Sequence, residues 1–196
     1  MQEYLSNTEN RTWQAFKLGD RKAFEKLLNQ YYPLLLNYGQ RLIRDNDFAQ
    51  DCLQDFFIDL WNHRENLDTP QSIKAYLFSS YRRALFKEKT RNFWNRNVIE
   101  LNEEYEIEVQ FNIETYLINN EIEHETLLKL KYYLSTLSKR QREAVYLRFN
   151  QELEYEEISQ IMSINHHSAI NLVYEALKLL RKNWVMSFII CLITIQ

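Results

Sequence analysis

Carboxylates, cations, histidines and thiols are the groups through which this chain could do chemistry, and their spacing sorts them by task. Asp51, Asp55 and Asp59 fall at i, i+4 and i+8, so a helix would stack three carboxylates on one face beside Gln54 and Asn62. Like charges at that spacing cost helix stability, and from pattern alone a merely solvated face accounts for them equally well. Arg82, Arg83, Lys87, Lys89, Arg91 and Arg96 form a basic run in which Glu88 is the only acid between Arg82 and Arg96. Tyr76, Phe78, Phe86, Phe93 and Trp94 are interleaved with it. Cations neutralise phosphates and rings stack on unpaired bases, so this segment points to nucleic acid, although most of the rings could equally be core. His166 and His167 are adjacent, which puts them about 100° apart on a helix and prevents them from converging on one zinc ion. Cys52 and Cys191 are too far apart in sequence to suggest a metal cluster or disulfide framework. The only glycines, Gly19 and Gly39, leave no loop to cradle a phosphate, which excludes P-loop and dinucleotide-binding proteins. No nucleophile stands beside a base in any recognisable motif. We therefore expect no enzyme, no metal, no cofactor and no small-molecule substrate.

The elements that must position these groups are helical. The chain has 196 residues, of which 45% are hydrophobic, enough for small cores. Two Gly and two Pro are too few to punctuate a sandwich or barrel. Leu18-Gly19-Asp20 reads as a helix stop followed by a cap, ending a short first helix around Thr12–Leu18. Phe24, Leu27, Leu28, Tyr31, Leu35, Tyr38 and Leu42 then make a helical stripe that Pro33 is expected to kink or break. Asp45-Asn46-Asp47 starts a helix carrying Cys52, Leu53, Phe56, Phe57 and Leu60. A loop centred on Pro70 precedes a long helix from about Ile73 to Asn95. From Asn97 to Glu125 there are nine glutamates and no Lys or Arg, which reads as an acidic linker. The formal charge of −3 therefore hides a basic segment beside an acidic one. Leu127, Leu130, Leu134 and Leu137 open a second helical part, in which Ser138 caps a helix. Tyr155 to Met162, the turn Ser163-Ile164-Asn165 and a helix from His166 to Lys182 follow the helix-turn-helix plan. The tail from Trp184 to Gln196 is nearly all apolar but falls short of the roughly 20 residues that span a bilayer. It could pack back on the preceding helices, contact a membrane interface or bind a regulator, and we expect packing. No basic, apolar signal segment opens the chain, so the expected location is the cytoplasm.

Two separate segments resemble one family. Asp20-Arg21-Lys22-Ala23-Phe24, Ala49-Gln50-Asp51-Cys52-Leu53-Gln54-Asp55-Phe56-Phe57 ending at Leu60-Trp61, and Ala75-Tyr76-Leu77 resemble region 2 of sigma-70 factors. Leu137-Ser138-Lys139-Arg140-Gln141-Arg142, Tyr155-Glu156-Glu157-Ile158 and the stretch from Met162 to Arg181 resemble region 4. With only a short acidic linker between them, the arrangement is similar to the extracytoplasmic-function group. The resemblance implies an all-α chain of two small domains: region 2 over 1–96, a linker over 97–121, region 4 over 122–183 and an apolar tail over 184–196.

It also implies a transcription initiation factor with core RNA polymerase and promoter DNA as partners. Asp51, Gln54 and Asp55 occupy the positions that bind the polymerase clamp. The loop from Arg64 to Ser72 and the helix bearing Tyr76, Arg82, Arg83, Lys87 and Arg91 would read and open the −10 element. Many relatives have Asn where Arg83 stands. Arg140, Arg142, Asn165, His166, His167, Ser168 and Asn171 would bind the −35 element. Relatives often carry Lys or Arg around Ile170 and Leu172, so this helix is less basic, and Arg148 is expected to add to the backbone grip. The family further implies an anti-sigma factor that holds the protein inactive, often at the inner membrane. Two other readings compete: a stand-alone helix-turn-helix regulator and a protein-binding helical module. The acidic face speaks against the first, which has no use for it.

Overall fold

The computed structural model describes the backbone of residues 2–43, 45–95 and 132–194, and the side chains of 8–43, 45–91 and 132–181. Every described element is a helix, and the chain divides into two compact units, Met1–Tyr105 and Glu106–Gln196. The acidic stretch 97–121, together with Leu127 and Leu130, lies outside the described residues.

The first unit contains α1 (Gln2–Lys17), α2 (Arg21–Leu42), α3 (Asn46–Asn62), one 3-10 turn (Arg64–Asn66) and α4 (Ile73–Asn95). Gly19 stops α1 in the left-handed region at φ +87°. The Asp20 carboxylate then starts α2 by accepting from the Lys22 and Ala23 amides at 2.8 and 3.3 Å. Asp45 caps α3 through the Phe48 amide at 3.0 Å, and Ser72 caps α4 through the Ala75 amide at 3.1 Å. Two expectations change. The first helix begins at Gln2, far upstream of Thr12. The second runs unbroken through Pro33. Pro33 and Asn29, whose carbonyl loses its partner, both lie on the exposed side, where water replaces the missing bond. The other side of α2 buries Leu27, Tyr31, Leu35, Tyr38 and Leu42, which holds the helix together.

The core of this unit is aromatic. Phe24 packs on Trp61 (ring centroids 5.0 Å apart), Tyr38 on Phe78 (5.1 Å) and Phe56 on Tyr81 (5.7 Å). The Tyr81 hydroxyl donates to the buried Ala49 carbonyl at 2.7 Å. A Cβ on Gly39 would collide with that hydroxyl, so glycine here lets α2 and α4 approach.

The second unit contains helical residues 132–136, α5 (Lys139–Phe149), α6 (Tyr155–Met162) and α7 (His166–Thr194). Ser138 and Gln141 close a capping box at α5, and Glu154 and Glu157 close another at α6. Ser163 ends α6 in the left-handed region (φ 52°, ψ 49°) and turns the chain into α7. Leu134, Leu137, Val145 and Ala176 form one buried cluster, while Ile158, Ile161, Met162, Ala169 and Val173 bury the angle between α6 and α7. The last helix does not stop near Lys182 but continues to Thr194. Whether the tail packs back is a matter of side chains outside the described ones.

Candidate functional site

The acidic stripe is built by the burial of the opposite side of α3. Ala49, Cys52, Leu53, Phe56, Phe57 and Leu60 face the core, which turns Asp51, Gln54 and Asp55 outward to the exposed side. Ile58 continues the same stripe at 58% exposure, with Asp47 and Asp59 also exposed. Among the described residues, none pairs with the Asp51, Asp55 or Asp59 carboxylate. Their field reaches inward: burial first, then the carboxylates of Glu88, Asp55 and Asp51, push the Cys52 thiol up to about 11. The sequence pattern identifies the carboxylates but misses Ile58, because an isoleucine beside Phe56 and Phe57 reads as core.

The basic helix is more selective than its composition suggests. At about 100° per residue, Tyr76, Arg83 and Lys87 fall within about 40° of one another on α4. Arg83 is splayed along this face by donating to the Ser79 and Ser80 hydroxyls at 2.8 and 3.0 Å, and Lys87 is exposed. Arg82 lies to one flank, its guanidinium 4.8 Å from the centre of the Phe86 ring. Arg91 pairs with Glu88 at 2.8 Å while remaining 67% exposed.

The loop before α4 is tied to α1. The Trp13 indole donates to the Asp68 carbonyl at 3.1 Å, and the Gln14 amide donates to the Thr69 hydroxyl at 2.6 Å. Trp13 also meets the half-buried Tyr76 edge-on at 5.6 Å. Arg64, at the start of the loop, lies over the Trp61 ring at 4.5 Å and donates to the Trp61 carbonyl at 2.8 Å. Neither Trp13 nor Gln14 stands out in the sequence, since the bonds they make cross 55 positions.

In the helix-turn-helix, Asn165 caps α7 by accepting from the Ser168 amide at 2.7 Å. Its carbonyl oxygen is thus used within the protein, and its amide donors are what it can offer outward. His166 lies 3.4 Å from the Glu156 carboxylate, and His167 and Asn171 are exposed. Ile170 and Tyr174 share that exposed side. Arg140 is exposed and Arg142 half-buried at the start of α5. Arg148 is used internally: it donates to the Leu153 carbonyl at 2.8 Å, pairs with Glu154 at 3.1 Å and covers the Tyr155 ring at 5.0 Å. These contacts tie Arg148 to the loop before α6 and leave its side chain 28% exposed. No group of three or more His, Cys, Asp or Glu among the described residues could hold a metal ion. No helix among them is long and apolar enough to cross a membrane.

Two family models match the chain: Sigma-70 region 2 over residues 27–94 and Sigma-70, region 4 over residues 127–180. The RNA polymerase sigma factor YlaC of Bacillus subtilis (strain 168) is 28% identical over 176 residues, 85% of this chain and 95% of that protein. The ECF RNA polymerase sigma factor SigM of the same organism is 24% identical over 160 residues, 79% of this chain and 88% of that protein. Among solved structures, CnrH in complex with the cytosolic domain of CnrY aligns with a TM-score of 0.58 at 15% identity, over 89% of this chain and 95% of that one. The sigma factor RpoE in complex with the anti-sigma factor NepR from Bartonella quintana aligns at 0.57 and 20% identity, over 83% and 97%. Both of these likenesses concern the fold.

Proposed function

Since the chain belongs to the sigma-70 family of RNA polymerase sigma factors, in its extracytoplasmic-function group, we propose that it joins core polymerase through α3, opens the −10 element with α4 and reads the −35 element with α7. Residues 1–96 and 122–183 act as the two binding domains, with 97–121 as linker and 184–196 as tail. The observation that carries this reading is the stripe of Asp51, Gln54, Asp55 and Ile58: three polar groups and one large apolar side chain, exposed together. A carboxylate stack that costs the helix stability fits a basic partner, and an exposed isoleucine among the carboxylates supplies an apolar anchor. A stand-alone DNA-binding regulator has no use for such a face.

At the −10 element, Tyr76, Arg83 and Lys87 face the strand. Unstacking a base costs a few kcal/mol, which a pocket for the extruded base and contacts to phosphates must offset. The loop tied down by Trp13 and Gln14 is pre-shaped for that pocket. Arg82 and Arg91 serve the backbone from the flanks. In the second domain, His166, His167, Ser168 and Asn171 approach base edges and phosphates, Asn165 contributes its amide, and Arg140 and Arg142 hold the backbone. The chain itself makes and breaks no covalent bond. CnrH and RpoE were each solved with a partner, and we extend this to an anti-sigma factor for this chain, sequestering it from the cytoplasm at the inner membrane.

The test is Asp55→Arg in the full chain. The side chain is exposed, so the unfolding free energy stays within about 0.5 kcal/mol of wild type. Binding to bacterial core polymerase and transcription from a cognate promoter are both lost. A well-folded variant that still pulls down polymerase subunits and initiates normally overturns the reading.

A further inference from the structure

His167, Ile170, Asn171 and Tyr174 fall at i, i+3, i+4 and i+7 on α7, a single exposed stripe opposite the buried Ala169 and Val173. In a helix-turn-helix the second helix presents its first turns to the major groove, so this stripe is continuous with the proposed −35 surface. Ile170 is 36% exposed and Tyr174 61%. A lone exposed aliphatic residue is ordinary on a protein surface. What sets Ile170 apart is its place, with His167 one turn before it, Asn171 beside it and Tyr174 one turn after.

A branched aliphatic chain can neither bond a phosphate nor satisfy a polar base edge. Placed against polar edges it would strip them of water with nothing in return. The major groove offers one apolar group, the C5 methyl of thymine. We propose that Ile170 reads a thymine methyl in the −35 element, while Asn171 bonds the neighbouring base. This rests on the assignment of α7 to the −35 duplex and adds the chemistry of what it selects.

The experiment uses holoenzyme assembled from the full chain and core polymerase, which selects its −35 element from a randomised duplex library. Each selected thymine is then replaced in turn by uracil, which removes only the methyl. At one position, uracil weakens wild-type binding by about fourfold, the worth of one buried carbon. Ile170→Ala binds the thymine duplex more weakly by a similar factor and becomes indifferent to uracil there, whereas Ile170→Val keeps part of the discrimination. The proposal is overturned if uracil is neutral at every thymine for wild type, if the selected element holds no thymine on either strand, or if Ile170→Ala retains the full uracil penalty. A library that yields no −35 preference at all strikes instead at the assignment of α7 itself.

Discussion

Cys52 shows how a surface charge reaches a buried atom. Its thiol lies under the acidic face of α3 and, through burial together with the Glu88, Asp55 and Asp51 carboxylates, is raised from 9.0 to about 11, with Arg91 opposing. A group whose folded pKa is raised keeps its proton better in the native state, so its contribution to stability is complete below pH 9 and is lost as pH rises towards 11. Urea unfolding of wild type is expected to weaken more between pH 8.5 and 10.5 (about two units spanning that window) than unfolding of Cys52→Ala. Equal slopes in the two proteins would place the alkaline loss elsewhere, for example at Tyr81, whose hydroxyl burial also raises. At this scale the sequence is a partial guide. Asp51, Gln54 and Asp55 are legible because polar residues on an apolar helix announce the outside. Ile58 and Tyr174 are not, because hydrophobic side chains look the same in a stripe whether they face a core or a partner. The ion pairs of Arg91 with Glu88 and of Arg148 with Glu154 are likewise not legible, since the sequence does not say which acid across a turn or a loop comes within reach.

Among the elements, the crossing of α2 and α4 depends on one missing methyl. A Cβ at Gly39 would overlap the Tyr81 hydroxyl and come within 2.9 Å of two ring carbons. Gly39→Ala is therefore expected to destabilise the first unit by about 2 kcal/mol, despite the better helix propensity of alanine. Tyr81→Phe alone costs about 1 kcal/mol for the lost bond to Ala49. Combined with Gly39→Ala it recovers part of the damage, because only the hydroxyl overlap is relieved. Denaturant titrations of the four proteins measure the coupling, and strict additivity would show that the crossing has simply moved apart. Helix identities and most caps here are readable in advance, since Asp20, Asp45 and Ser138 each sit before an apolar stripe. The break expected at Pro33 does not occur, for a physical reason: proline breaks a helix by orphaning a carbonyl, and on the wet side of α2 water can take that carbonyl. The end of α7 is misread because a left-handed stop normally needs glycine, and nothing between Lys182 and Thr194 supplies one.

For the whole molecule, a net charge of −3 predicts poor affinity for DNA, while its distribution predicts the reverse. Acidic and basic surfaces lie on successive helices of the first unit, the one proposed for polymerase and the other for promoter DNA. Arg83→Ala is expected to leave assembly with core polymerase intact and to lower the salt slope of promoter binding by about one, the release of a single counterion. Fluorescence titration of holoenzyme on promoter DNA from low to moderate salt reads this directly. An unchanged slope would mean that Arg83 stays bonded to Ser79 and Ser80 and touches no phosphate.

The bonds from Trp13 and Gln14 to the loop before α4 also redraw the outline of the working part. The segment that matches region 2 begins at residue 27, yet both braces come from α1, upstream of it. A chain begun at residue 27 would keep every side chain proposed to face the −10 strand and forfeit the scaffold that holds the loop beside them. If the proposed −10 role holds, substitutions in α1 are expected to tune promoter unwinding while leaving Tyr76, Arg83 and Lys87 in place.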